Sequence, residues 1–204
     1  MTGASPTRSG DHRRIPPAPF DPQPVLAGEL LTLRPLRAGD LDALAAVAAD
    51  SRDWVHRTWH PAHHLAGDRD RTAGFARFFR EALASGGAMV ALDVVDGRVI
   101  GASCFHGYHP AAREVAIGGT FLARSHWGGR HHSEMRWLML THAFRSVDRV
   151  LVRVGPGSVR AQRAVEKLGG VRVNAPSDDP GDSRVVYAIS AMAFAATARV
   201  RGQT

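Results

Sequence analysis

The residues E-V-A-I-G-G-T-F-L, 114–122, have the composition of a strand, and beyond the loop S-H-W-G-G-R-H-H the residues Met135, Leu138, Met139, His142 and Ala143 recur with a helical period. Two adjacent glycines, Gly128 and Gly129, therefore sit at a strand-to-helix passage. Small residues entering a helix leave several backbone N–H groups unpaired and pointing one way, and the helix dipole adds positive potential, so such a place attracts phosphate. Glycines there let the backbone approach a ligand closely, and Arg124 and Arg130 add charge. A glycine pair alone is more often the mark of a plain turn, so the rest of the chain must decide.

Residues 29–36 alternate as a strand, and Asp40 then caps a helix whose Leu41, Leu44, Ala45 and Ala48 share a face. Residues 53–64 are rich in aromatics and histidine but aperiodic, which reads as a loop or broken helix near a cleft. A second helix over 71–84 carries Phe75, Phe78, Phe79, Ala82 and Leu83 at helical spacing and stops at Gly86-Gly87. Residues 88–95 and 98–105 form a hairpin whose Asp96-Gly97 suits a type I′ turn. After residues 149–154, another alternating strand, Gly155-Pro156-Gly157 breaks the chain and Ser158 opens a helix with Ala161, Ala164, Val165 and Leu168 inward. Gly169-Gly170 stops that helix; residues 171–173, a Pro/Asp/Gly loop, a strand over 184–189 and an alanine-rich helix follow, with no internal repeat.

The chain of 204 residues, 44% hydrophobic, predicts one globular domain over 25–204, preceded by an arm at 1–24 whose I-P-P-A-P-F-D-P-Q-P bars regular structure and reads as disordered. No apolar stretch suits a membrane span or secretory signal, and Cys104 is the single cysteine, which excludes an internal disulfide; a reducing cytoplasm is the expected setting. The net charge of +7 comes almost entirely from arginine, and a solvated basic surface and an anionic partner both account for it.

The element order, with L-L-T-L-R-P-L-R-A-G-D, V-D-G-R-V-I-G, T-F-L-A-R-S-H-W-G-G-R, L-M-L-T-H-A-F and S-V-R-A-Q-R-A-V-E-K-L-G-G in sequence, resembles the GNAT superfamily of acyl-CoA-dependent N-acyltransferases. More narrowly, these segments look like the branch that holds the ribosomal-protein N-terminal acetyltransferases. The resemblance implies an α/β (α+β) fold with a mixed, mostly antiparallel central sheet, a splayed strand pair and helices on both faces. It implies acetyl-CoA or another acyl-CoA as co-substrate. Gly119, Thr120, Phe121 and Leu122 would line the pantetheine arm, and Trp127, Gly128, Gly129, Arg130, His131 and His132 would form the pyrophosphate loop.

The chain departs from that family pattern in places that bear on chemistry. Trp127, Arg130 and His132 replace a polar residue, a glycine and a small residue of the usual loop, and Ala116 stands where relatives often carry glutamate. Glu114, on the same strand face, can replace that base, or can pair with Arg113 or another cation at the strand end. Gly119 in place of an aromatic opens space for a larger acyl donor or acceptor. Ser158 either caps its helix or touches the cofactor thiol, and Arg160 either approaches a phosphate or stays in solvent.

Of the 11 histidines, His60, His63 and His64 and the pair His131-His132 lack the i, i+4 spacing and third ligand of a zinc site, so no metal is expected. His56, His60, His106 and His132 instead suit an acceptor cleft, where they can relay a proton. The resulting expectation is acyl transfer to a primary amine of a small molecule or peptide N-terminus by a monomer or homodimer, with Glu114 and Ser158 as catalytic groups and no membrane partner. Two rivals keep the fold: an aminoacyl-tRNA-dependent transferase, favoured by the degraded loop and the basic arm, and a GNAT-derived protein that binds without turnover.

Overall fold

The computed structural model describes residues 19–50, 71–127, 129–174 and 183–201. Gly128, the loop at 53–64 with His56, His60, His63 and His64, the loop at 175–182 and the first 18 residues of the arm lie outside the described residues.

The strands are β1 (Leu26–Ala27), β2 (Leu31–Pro35), β3 (Ala88–Asp93), β4 (Val99–His109), β5 (Glu114–Leu122), β6 (Arg149–Val154), β7 (Val171–Val173) and β8 (Val185–Ser190). They form one sheet in the order β1-β2-β3-β4-β5-β6-β8-β7. Every neighbouring pair is antiparallel except β5 and β6. Among the described residues the helices are α1 (Leu41–Asp50), α2 (Arg71–Ala84), α3 (Arg130–Ala143), α4 (Val159–Glu166) and α5 (Ala191–Arg201).

Alternation along the strands sends side chains to two large cores and to a small cluster of Ala116, Leu151, Val186 and Ala188. Leu31, Leu33, Met89, Val115, Ile117 and Val150 meet Met135, Met139, Leu140 and Ala143 of α3, Val165 of α4 and Phe194 of α5 on one face. On the other, Val90, Ala102 and Phe121 meet Leu44 and Val47 of α1 and Phe79 and Ala82 of α2. Helices thus cover both faces, as expected, and the sheet is mixed and mostly antiparallel.

Four local readings change. The β3–β4 connection is not a two-residue type I′ turn: Asp93 N–H donates to Arg98 O and Gly97 N–H to Asp93 O, both at 2.9 Å, which encloses residues 94–97 and leaves Val95 92% exposed. Asp40 does not cap α1. It ends a 3-10 turn (Ala38–Asp40), where its carboxylate accepts the Arg37 amide at 2.8 Å and the Arg34 guanidinium at 2.7 and 2.9 Å. Burial pushes this carboxyl up, but the bonds from Arg34 and Arg37 outweigh it and hold the pKa below the usual value. On α3 the buried stripe takes in Leu140, with Leu138 only packed against its edge.

The fourth change concerns the arm. Phe20, counted with the disordered residues, is buried, its ring 5.2 Å from Phe105 and 5.1 Å from Tyr108, while His142 Nε2 lies 2.7 Å from the Asp21 carbonyl oxygen. Prolines bar regular structure there but do not stop one aromatic side chain from filling a core site.

Candidate functional site

The site begins with a break in the sheet. β5 and β6 pair only from Glu114 to Ile117 against Arg149 to Val152; both strands continue, but not as partners. At the same point β5 takes an extra residue: Ala102 faces Phe121 and Cys104 faces Gly118, so two residues of β5, Gly119 and Thr120, stand against Ser103 alone. Gly119 has φ +59°, the left-handed value of a glycine-started bulge, which L residues other than Asn and Asp rarely adopt. Gly119 is thus set first by backbone conformation, and only second by room for an acyl group. Ser103 fixes the bulge from β4, its Oγ 2.8 Å from Thr120 Oγ1 and donating to Gly118 O at 3.3 Å.

The parted strands border a cleft of about 490 Å³, open mouth included. Ile117 to Thr120 form one wall, Val152 to Gly155 the other, and Arg136 of α3, Ser158 and Ala161 of α4, and Arg184 complete it. Among the described residues that line it, three are arginines and none is Asp or Glu. Arg136 Nη1 is shut off from solvent and has no hydrogen-bond partner among the described residues. Burial lowers the pKa of this guanidinium to about 10, which leaves it cationic at neutral pH.

The predicted cofactor residues divide. Gly119 and Thr120 line the cleft, but Phe121 and Leu122 turn their side chains into the two cores and do not line it. Trp127 does not present its amide: that N–H donates to Arg124 O at 3.2 Å, and the indole N–H donates to Leu122 O at 2.7 Å, pinning the loop to the end of β5. Gly129 is the N-cap of α3, whose first turn is Arg130, His131 and His132 and therefore carries the outward N–H groups of a helix start. Arg130 is exposed and lies 3.7 Å from Glu29. His132 is driven to a pKa of about 3 by burial and then by the charges of Arg136 and Arg160; of these three only Arg136 lines the cleft.

His131 faces elsewhere. Its Nε2 is 3.9 Å from Asp93 Oδ2, which also meets His126 Nε2 at 3.1 Å, and His126 Nδ1 is held by Ser125 Oγ at 2.9 Å. The Val95 amide first, and then His126, keeps the Asp93 carboxyl below its usual value. Ligand atoms of Asp93, His126 and His131 fall within 4.8 Å of one another, so these described residues could meet on one ion; adjacency in sequence, the signal considered for histidine, does not find them. In the fold they anchor both ends of the glycine loop to β3.

The two predicted catalytic groups also part company. Glu114 is ion-paired with Arg149 at the start of β5, about 10 Å by strand rise from Ile117, the first residue of the cleft wall. Its partner is Arg149 because Arg113 is taken by Asp148 at 2.6 Å. Ser158 does line the cleft, at the N-cap position of α4, yet its side chain makes no capping bond. The cross-strand neighbour of Ala116 is His106, whose Nε2 would lie 2.6 Å from a Cβ at Gly118. His106 keeps contact with solvent, but the surrounding protein, and then Arg153 and Arg184, lower its pKa to about 4.

Glu134 escaped the sequence reading. Its carboxylate accepts backbone N–H bonds from Glu29, Leu30 and Leu31 at 2.8, 2.9 and 3.0 Å, tying α3 to the β1–β2 turn. Arg136 had a signal, a lone cation inside the apolar run M-R-W-L-M-L, as did Ser103, a small hydroxyl inside the apolar start of β4.

The model of the acetyltransferase (GNAT) domain family matches residues 31–171. No curated protein matches the chain. Among solved structures, a GCN5-related N-acetyltransferase from Brucella melitensis is similar at 18% identity and a TM-score of 0.73, covering 93% of this chain and 88% of that one. A GNAT-family acetyltransferase from Bacillus anthracis shares 17% identity with a TM-score of 0.63, over 81% and 98% of the two chains. Mycobacterium smegmatis RimJ, solved in complex with CoA-disulfide, shares 21% identity with a TM-score of 0.63, over 87% and 91%. Among the described residues no helix is long and apolar enough to cross a membrane.

Proposed function

The chain belongs to the GNAT acetyltransferase domain family, whose co-substrate is acetyl-CoA, and on that premise we propose that it transfers an acyl group from coenzyme A to a primary amine, without an acyl-enzyme. The observation that carries the reading is the parting of β5 and β6 beside the N-terminus of α3, which offers a slot between strands and a helix start for an anion in one place. The residues present fit the group: among the described residues, arginines and no carboxylate line the slot.

Acetyl-CoA supplies the acyl group as a thioester. Backbone N–H groups at the Gly119 bulge stabilise the negative charge that develops on the thioester oxygen. His106, the cross-strand neighbour of the alanine that replaces the family's glutamate, is neutral at pH 7 and accepts the amine proton through water, a role Glu114 cannot fill from its ion pair with Arg149. Ser158, its hydroxyl not engaged in a cap, donates a proton to the departing sulfur. One N–C bond forms, one C–S bond breaks, and one proton passes in net from amine to thiol. The acceptor is a small-molecule amine or, by likeness to the ribosomal-protein branch, a peptide N-terminus in the cytoplasm.

Calorimetric titration of acetyl-CoA, desulfo-CoA and total tRNA tests this reading. Saturable binding of the first two without tRNA supports it, with Ser158→Ala slowing thiol release and leaving affinity within about twofold. Salt-dependent binding of tRNA alone defeats it in favour of an aminoacyl-tRNA donor.

A further inference from the structure

Arg136 brings a cation to the lining of the cleft that a simple acetyl donor leaves without a counter-charge. It lies six residues into α3 from Arg130, about 9 Å along the helix, beyond the first turn where a diphosphate would be gripped. Among the described residues its Nη1 is buried and unpartnered, and no carboxylate lines the cleft to neutralise it. Buried polar groups are almost always hydrogen-bonded, and buried charges paired, so this atom marks the place of a missing partner. A methyl group cannot be that partner. A carboxylate can, because it both accepts the N–H and offsets the charge, and the guanidinium fork suits it. On the adjoining wall Gly119 carries no side chain, while the space over Gly118 is taken by the His106 ring.

We infer that the preferred acyl donor carries a carboxylate at the far end of its acyl chain, and that Arg136 is the residue that selects it. The inference rests on the transferase reading above. In the reaction the amine nitrogen bonds to the thioester carbon, the C–S bond breaks, the amine proton goes to the thiol, and the distal carboxylate passes unchanged into the amide product.

The full chain is titrated calorimetrically with two stable thioethers, S-(3-carboxypropyl)-coenzyme A and S-butyl-coenzyme A. The carboxylated compound is expected to bind about 10- to 100-fold tighter, the size of a charge-assisted hydrogen bond. Arg136→Met should erase that preference while S-butyl-coenzyme A keeps its affinity within about threefold, and Arg136→Lys should retain part of it. Equal affinity of the native chain for the two compounds overturns the inference and needs no variant to be seen. So does an Arg136→Met variant that weakens both by the same factor, which makes Arg136 a contact of the arm they share. If neither thioether nor coenzyme A itself binds, the transferase reading fails first and takes this one with it.

Discussion

Glu134 holds α3, and with it the start of the glycine loop's helix, against β2. Replacing it by alanine leaves three backbone N–H groups without their acceptor: Glu29 N–H is exposed and can turn to water, while those of Leu30 and Leu31 are partly buried. Bonds to a charged acceptor contribute about 1.5–3 kcal/mol each when buried, so with partial access of water the loss is about 2–4 kcal/mol. For a domain of this size that lowers Tm by about 5–15 °C. Glu134→Gln keeps one carbonyl oxygen and should lose about half as much. Gly28→Ala gives a companion test, because its Cβ would stand 2.6 Å from Glu134 Cδ and push the carboxylate off the amides. Urea denaturation of the two single variants and the double variant then forms a cycle in which the Gly28→Ala penalty shrinks once Glu134 is gone. A Glu134→Ala protein within about 0.5 kcal/mol of the parent, or a Gly28→Ala penalty indifferent to residue 134, refutes the clamp.

Phe20→Ala should destabilise by about 3 kcal/mol, as for a truncated core aromatic, and a chain starting at residue 25 should lose at least as much, both read from denaturant midpoints. Gly119→Val should weaken acetyl-CoA binding far more than Gly119→Asn, since asparagine tolerates φ +59° and valine does not; equal losses in calorimetry would contradict the bulge. His106 and His132 stay neutral in the fold to about pH 4 and about pH 3, whereas unfolded histidine takes up a proton below about pH 6.5. The unfolded state therefore binds more protons in that window, and stability should fall as pH drops from about 6.5 towards 4, less steeply in His132→Gln. Glu114→Gln should leave the pH–rate profile of acyl transfer unchanged while breaking the ion pair with Arg149, and a lost acidic limb would restore Glu114 as the base.

Strand periodicity, helix stripes and glycine punctuation made most of the fold legible, because each is a local consequence of chain geometry: residues 114–122 are β5 with no shift at either end. What pattern could not supply was which neighbour a polar group would find. Glu114 was read as a base because alternation puts it on the face of Ala116, yet distance along the strand and the register with Arg149 decide its partner. Ser158 was placed at its helix start from the Gly-Pro-Gly break, whereas the absence of its capping bond is a matter of side-chain geometry. His106 gained its place beside Ala116 only through β4–β5 pairing, and Arg136 its isolation only through the folding of α3 over a broken sheet.

That break also leaves the sheet itself narrow at one point, although one core runs beneath both sides of it. The β1-to-β5 half and the β6-β8-β7 half are stitched in the sheet by the short Glu114–Ile117 ladder. Anything lodged between the parted ends acts as a rivet across the seam, and its grip adds to the resistance of both halves to melting. Melting temperature thus becomes a gauge of occupancy, able to sort collections of thioesters and amines before any product has been identified.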